Sequence, residues 1–79
     1  MVEVTLYTRT NCPLCDKAKA AIRASGVKLQ LTEIDVDGDE LLRDLYGEHV
    51  PVIFVNGREA FRHFVRPEEL AAYVAGNRR

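Results

Sequence analysis

Cys12 and Cys15 stand as Cys-Pro-Leu-Cys between a β-like run, Val2 to Tyr7, and a helix-like run, Asp16 to Ser25. Two intervening residues let a disulfide close when the loop wraps into a first helical turn. A helix N-terminus there favours a thiolate, because its unpaired backbone N–H groups and the helix dipole stabilise negative charge. The thiolate is the nucleophile of disulfide exchange, so the pair reads as redox-active. Cys12, at the helix end within reach of solvent, is expected to attack, and Cys15, one turn in, to resolve the mixed disulfide. The competing reading is an inert pair of small buried apolar residues. Spacing, Pro13 and placement at a helix start weigh against it.

The flanking pattern says what must hold the pair. Val2 to Tyr7 alternates and is rich in β-branched and aromatic residues, which predicts a strand. Pro13 suits a first helical turn, Ala18, Ala21, Ile22 and Ala24 keep helical spacing, and Ser25-Gly26 is a stop. Val27 to Val36 reads as a second strand, parallel to the first across the helical crossover. Asp37-Gly38-Asp39 then breaks the strand and caps a helix carrying Leu41, Leu42, Leu45 and Tyr46, closed by Gly47. Val52 to Val55 is a continuous apolar run, as in a central strand, and Asn56-Gly57 signals a two-residue hairpin into a strand from about Glu59 to Phe64. Pro67 and the acids Glu68 and Glu69 open a last helix with Leu70, Tyr73 and Val74 on its buried stripe, and Asn77-Arg78-Arg79 is expected to fray. The order is βαβαββα: an α/β domain with a four-stranded mixed sheet flanked by helices, spanning residues 1–79 as one unit.

At 79 residues the core is near the minimum for independent folding, burying roughly 60% of the unfolded surface. A net charge of −1 gives no field with which to hold nucleic acid or an anionic membrane. No apolar run is long enough to span a bilayer, and Met1-Val2-Glu3 does not open a signal peptide. One closely spaced cysteine pair is unlike the disulfide framework of small secreted domains, so a cytoplasmic, reducing setting is expected.

The Cys-Pro-Leu-Cys pair after strand one and Val50-Pro51 before a buried strand, in a chain of this length and order, resemble the glutaredoxin branch of the thioredoxin fold, in its short bacterial glutaredoxin-like form. The likeness runs from Val4-Thr5-Leu6-Tyr7-Thr8-Arg9 to Val50-Pro51-Val52-Ile53 and Asn56-Gly57. It implies a thiol-disulfide oxidoreductase acting on protein or small-molecule disulfides, reset by glutathione or a reductase, with no bound cofactor. It also implies a cis Val50-Pro51 bond beside the cysteines, with the Val50 backbone open to pair with substrate. Arg9, Pro13, Leu14, Val50 and Pro51 are the substrate-binding residues so implied, and a monomer is expected. The chain departs from the family in three places. Leu14 stands where Tyr is usual, His49 where Thr is usual, and Phe61-Arg62-His63-Phe64-Val65-Arg66-Pro67 replaces the Gly-Gly-(Cys or Ser)-Asp segment that holds the γ-glutamyl end of glutathione. Weak glutathione use is the expectation.

The rival functions are a metal module and an interaction domain with inert cysteines. Zinc wants four ligands, and only His49 and His63 could join the cysteines, at a spacing that matches no familiar finger. An iron-sulfur cluster shared between chains is compatible with the count, but Pro13 and Pro51 resemble residues that keep metal away in redox members of the fold. Arg9 reads equally as a carboxylate contact or a solvated loop charge, and Arg66 could hold a carboxylate beside the last helix. Lys17 and Lys19 read as solvated, and His49 and His63 as structural. Asp35 to Glu40 lacks the Gly and Glu that a calcium loop needs at its sixth and twelfth positions. Phe61 and Phe64 are core candidates, with the lining of a peptide groove by one of them as the lesser alternative.

Overall fold

The computed structural model describes residues 1–76; the tail Asn77-Arg78-Arg79 lies outside the described residues. Its elements are β1 (Val2–Thr8), α1 (Pro13–Ala24), β2 (Leu29–Asp35), a short 3-10 turn (Val36–Gly38), α2 (Glu40–Tyr46), β3 (Val52–Val55), β4 (Arg58–Arg62) and α3 (Pro67–Gly76). The strands form one mixed sheet in the order β2-β1-β3-β4. β1 pairs with β2 in parallel and with β3 antiparallel, and β3 pairs antiparallel with β4.

Alternation along β1 divides the two faces. Val4 and Leu6 point to one side, where with Ile53 and Val55 they meet Ala18, Ala21 and Ile22 of α1 and Leu70 of α3 in a continuous buried core. Tyr7 points to the other side, where its ring sits 4.8 Å from Tyr46 of α2 and 5.4 Å from Phe54 of β3. α2 has no buried residue, and its Leu41 and Leu45 face solvent. This short helix therefore rests on the sheet through an aromatic cluster instead of a buried stripe.

Local stops follow from side-chain chemistry. Asp39 caps α2, its Oδ1 accepting from the Leu42 N–H at 3.1 Å. Asn56 and Gly57 both take positive φ, 50° and 84°, as a two-residue hairpin with the twist of its strands requires. The Asn56 side chain also accepts from the Glu3 N–H at 3.0 Å, stitching the hairpin to the start of β1.

Three sequence expectations are corrected. Val36 leaves the strand for the 3-10 turn, where Asp35 Oδ1 accepts from the Asp37 N–H at 2.9 Å. Lys19 is not merely solvated; it ties α1 to the edge strand through Glu33 at 2.8 Å. β4 ends at Arg62 because His63 takes a φ of +69°, and Phe64 is 70% exposed instead of in the core, while Phe61 does pack against it.

Candidate active site

Cys12 is the N-cap of α1, and its extended backbone hands the chain into the helix at Pro13. Its Sγ accepts from the Cys15 N–H at 3.2 Å, the place that a Ser or Asp oxygen takes in an ordinary cap. Cys12 and Cys15 form a disulfide, their Cα atoms 5.2 Å apart. The two sulfurs differ in access, for Cys12 is half-buried and Cys15 is only 1% exposed. A hydrogen-bond donor aimed at the outer sulfur favours the charged form of that sulfur when the pair is reduced.

Sheet register gathers the other elements at this end. Tyr7 lies opposite Val52, so the loop that leaves β1 for the cysteines emerges beside the entry to β3 at Val50-Pro51. Val52 lies opposite Arg62, which brings His63 and Phe64 to the same end. The Val50-Pro51 peptide bond is cis, and Pro51 is buried. The His63 N–H donates to the Pro51 carbonyl at 2.7 Å, whereas neither main-chain polar group of Val50 has a hydrogen-bond partner among the described residues.

The five expected substrate-binding residues thus have different placements. Pro13 is exposed at the first helical position, Leu14 is half-buried between the cysteines, and Val50 and Pro51 stand at the entry to β3. Arg9 is turned away into a structural tie. Its Nε donates to Asp37 Oδ2 at 3.1 Å, its second terminal nitrogen lies 3.0 Å from Asp37 Oδ1, and its first donates to the Gly47 carbonyl at 3.0 Å. The fork that a substrate carboxylate would use is filled by Asp37.

His49 and His63 form a tilted ring pair, centroids 5.7 Å apart, beside the buried proline. On the neighbouring strand a hydrogen bond from Arg62 holds the Glu59 carboxyl below its ordinary range. Among the described residues no group of three or more His, Cys, Asp or Glu side chains is placed to hold a metal ion, and no helix is long and apolar enough to cross a membrane. An open groove of about 480 Å³, weighed in the sequence only as the lesser reading of its aromatics, lies beside Leu14, walled by Leu14, Ala18, Phe64 and Val65 and edged by Lys17 and Arg66. Its signal in the sequence was the pair of aromatics Phe61 and Phe64, which read chiefly as core.

A cysteine pair at a helix start, on a four-stranded mixed sheet with a cis proline at the entry to a central strand, defines a thioredoxin-like redox domain. The model of the Glutaredoxin-like domain (DUF836) matches residues 3–75. The chain belongs to that glutaredoxin-like family, which together with its cysteine pair supports a thiol-disulfide redox function. Glutaredoxin 3 of Escherichia coli K12 is 33% identical over 63 residues, covering 73% of this chain and 74% of the relative. Among solved structures, the structural-genomics target protein XcR50 from X. campestris superposes with a TM-score of 0.84 at 30% identity, over 95% of this chain and 99% of that one. Glutaredoxin 1 from Francisella tularensis, solved with cacodylate, has a TM-score of 0.58 at 26% identity, over 96% of this chain and 95% of its own.

Proposed function

We propose that this protein is an enzyme that reduces disulfides of proteins or small molecules. The observation that carries this reading is the asymmetry of the pair: Cys12 meets solvent at a helix N-cap while Cys15 is buried behind it. In the reduced protein the Cys12 thiolate attacks one sulfur of the substrate disulfide and the other sulfur leaves as a thiolate. Cys15 then attacks the Cys12 sulfur of the mixed disulfide. The second product thiol departs, and Cys12-Cys15 holds the oxidising equivalents. The unpaired N–H and C=O of Val50 pair with an extended substrate in the manner of an added strand, beside Pro13, Leu14 and Pro51.

Mass spectrometry of two variants tests this. Cys15→Ser should accumulate a mixed disulfide on Cys12, and Cys12→Ser should show neither adduct nor turnover. An adduct on Cys15 in the Cys12→Ser protein, with none in the other, would reverse the two roles.

A reductase or a low-molecular-weight thiol resets the pair, and the protein works as a monomer in the reducing cytoplasm, where a dithiol persists. Glutathione is a poor co-substrate in this reading. A charge-assisted hydrogen bond contributes about 1.5–3 kcal/mol, so lacking even one from the family's capture segment raises the glutathione requirement at least about tenfold. With Arg9 engaged by Asp37, it does not restore that contact. Turnover coupled to glutathione reductase, set beside turnover coupled to thioredoxin reductase, reads this directly. Saturation at the low glutathione levels that serve a glutaredoxin with the full segment would overturn it.

A further inference from the structure

At the end of β4 the Phe64 N–H donates to the Arg62 carbonyl at 2.8 Å across His63, whose φ is +69°. A three-residue turn closed through a positive-φ residue is rare, and the conformation is unfavourable for a residue that carries a Cβ. It persists because the His63 N–H is bonded to the Pro51 carbonyl at 2.7 Å and its ring lies against His49. The turn sends neighbouring side chains in opposite directions: Val65 is 8% exposed in the core and Phe64 is 70% exposed.

Phe64 does not stand alone. With Leu14, Ala18 and Val65 it forms the apolar part of the groove of about 480 Å³, which reaches the cysteine motif at Leu14. Its charged edge is Lys17, Arg66 and Glu69. Glu69 is committed, its Oε1 accepting from the Arg66 main-chain N–H at 3.0 Å. The side chains of Lys17 and Arg66 have no partner among the described residues. An apolar floor with two uncommitted cations above it, in a chain of net charge −1, is complementary to an apolar segment that carries negative charge.

We propose, building on the oxidoreductase reading above, that this groove selects protein disulfides by sequence. The preferred substrate presents its attacked cysteine in an extended segment with a bulky apolar residue on one side and an acidic residue on the other. The apolar side chain packs on Phe64 and Leu14, and the carboxylate meets Lys17 and Arg66. The exchange is the one already written: one peptide thiol leaves as Cys12 attacks, the second leaves as Cys15 closes the ring, and two electrons pass from the dithiol to the peptide disulfide. Glutathione offers carboxylates but no apolar side chain, so it leaves the floor of the groove wet.

The test uses the full protein, reduced beforehand and freed of reductant, mixed with excess disulfide-linked homodimers of short peptides. The cysteine is flanked by Phe and Asp, by Phe and Lys, or by Ala and Asp; hydroxyethyl disulfide and glutathione disulfide run alongside. Acid-quenched mass spectrometry follows formation of the Cys12-Cys15 bond. At low salt the Phe/Asp dimer should react about tenfold faster than the Phe/Lys dimer, the gap narrowing as ionic strength rises. It should outpace the Ala/Asp dimer and glutathione disulfide about fivefold or more, as expected for partial burial of one aromatic ring. Phe64→Ser should erase the preference for Phe over Ala, and Lys17→Glu combined with Arg66→Glu should invert the charge preference. All three positions are exposed, so neither change removes core. Equal rates for the three peptides, with hydroxyethyl disulfide still reduced, would overturn the groove assignment alone. Failure to react with any disulfide would overturn the oxidoreductase reading and this inference with it.

Discussion

At its closed end the β3–β4 hairpin turns through Asn56 and Gly57 at φ 50° and 84°; at its open end the same strands are flanked by Pro51 and by His63 at φ 69°. Both ends use left-handed backbone, but with residue types that enter it unequally. Asn reaches that region through local hydrogen bonding and Gly has no Cβ to clash, so the closed end is relaxed. Histidine carries a Cβ that crowds there and enters the region less freely than glycine, and it is held there by its bond to Pro51 and its contact with His49. Local preference and global fold agree where the hairpin only has to turn, and they part where it meets the cysteines. Such departures gather at functional sites, where surrounding structure over-determines an unfavourable conformation.

Breaking the hairpin between its ends should have the largest effect. Ile53 is fully buried in the core, so Ile53→Ala should cost about 2–5 kcal/mol of folding stability by denaturant titration. A loss below about 1 kcal/mol would mean that the site rests on something other than this strand. The comparison itself sharpens with a matched pair of changes. Gly57→Ala places a Cβ at φ +84° and should destabilise by about 1–2 kcal/mol, even though no atom stands in its way. His63→Gly relieves the opposite end and should stabilise by about 0.5 kcal/mol, the left-handed penalty less the entropy of glycine, while weakening discrimination among peptide disulfides. Equal signs for the two would show that His63 carries no strain.

The element order, the redox pair and the closed end of the hairpin were legible because each depends on neighbours in sequence: Pro13 at a helix start, Asp39 at a cap, Asn56-Gly57 at a turn. The remainder depends on residues far apart in the chain. Phe64 sits in a stretch that reads as strand, and the Pro51 carbonyl, 12 positions before His63 in the numbering, together with the His49 ring holds the turn that stops the strand and leaves Phe64 outward. Arg9 sits where the resemblance expects a substrate contact, yet Asp37 and the Gly47 carbonyl, brought up by β2 and α2, claim its guanidinium. The smallest of the expected effects tests that tie. Because both partners are about one-third exposed, at 39% and 36%, solvent screens the pair. Arg9→Ala should therefore lower stability by only about 1 kcal/mol or less in thermal melts. A larger loss would give the cysteine loop a more important anchor than this geometry supplies.

The strand order leaves β2 and β4 as the outer margins of the sheet, and both are armoured. Glu33 and Asp35 stand exposed on β2, Arg58, Glu59 and Arg62 on β4, and each margin carries an ion pair, Lys19 with Glu33 and Arg62 with Glu59. A foreign strand laid along either margin would have to strip water from those charges, which is how natural sheets resist edge-to-edge growth. A domain with an aromatic side chain as exposed as Phe64 runs a standing risk of self-association. Here the charged flanks close the routes that would turn such encounters into fibres, and the unpaired main chain of Val50 lies at the entry to β3, an inner strand, away from both margins.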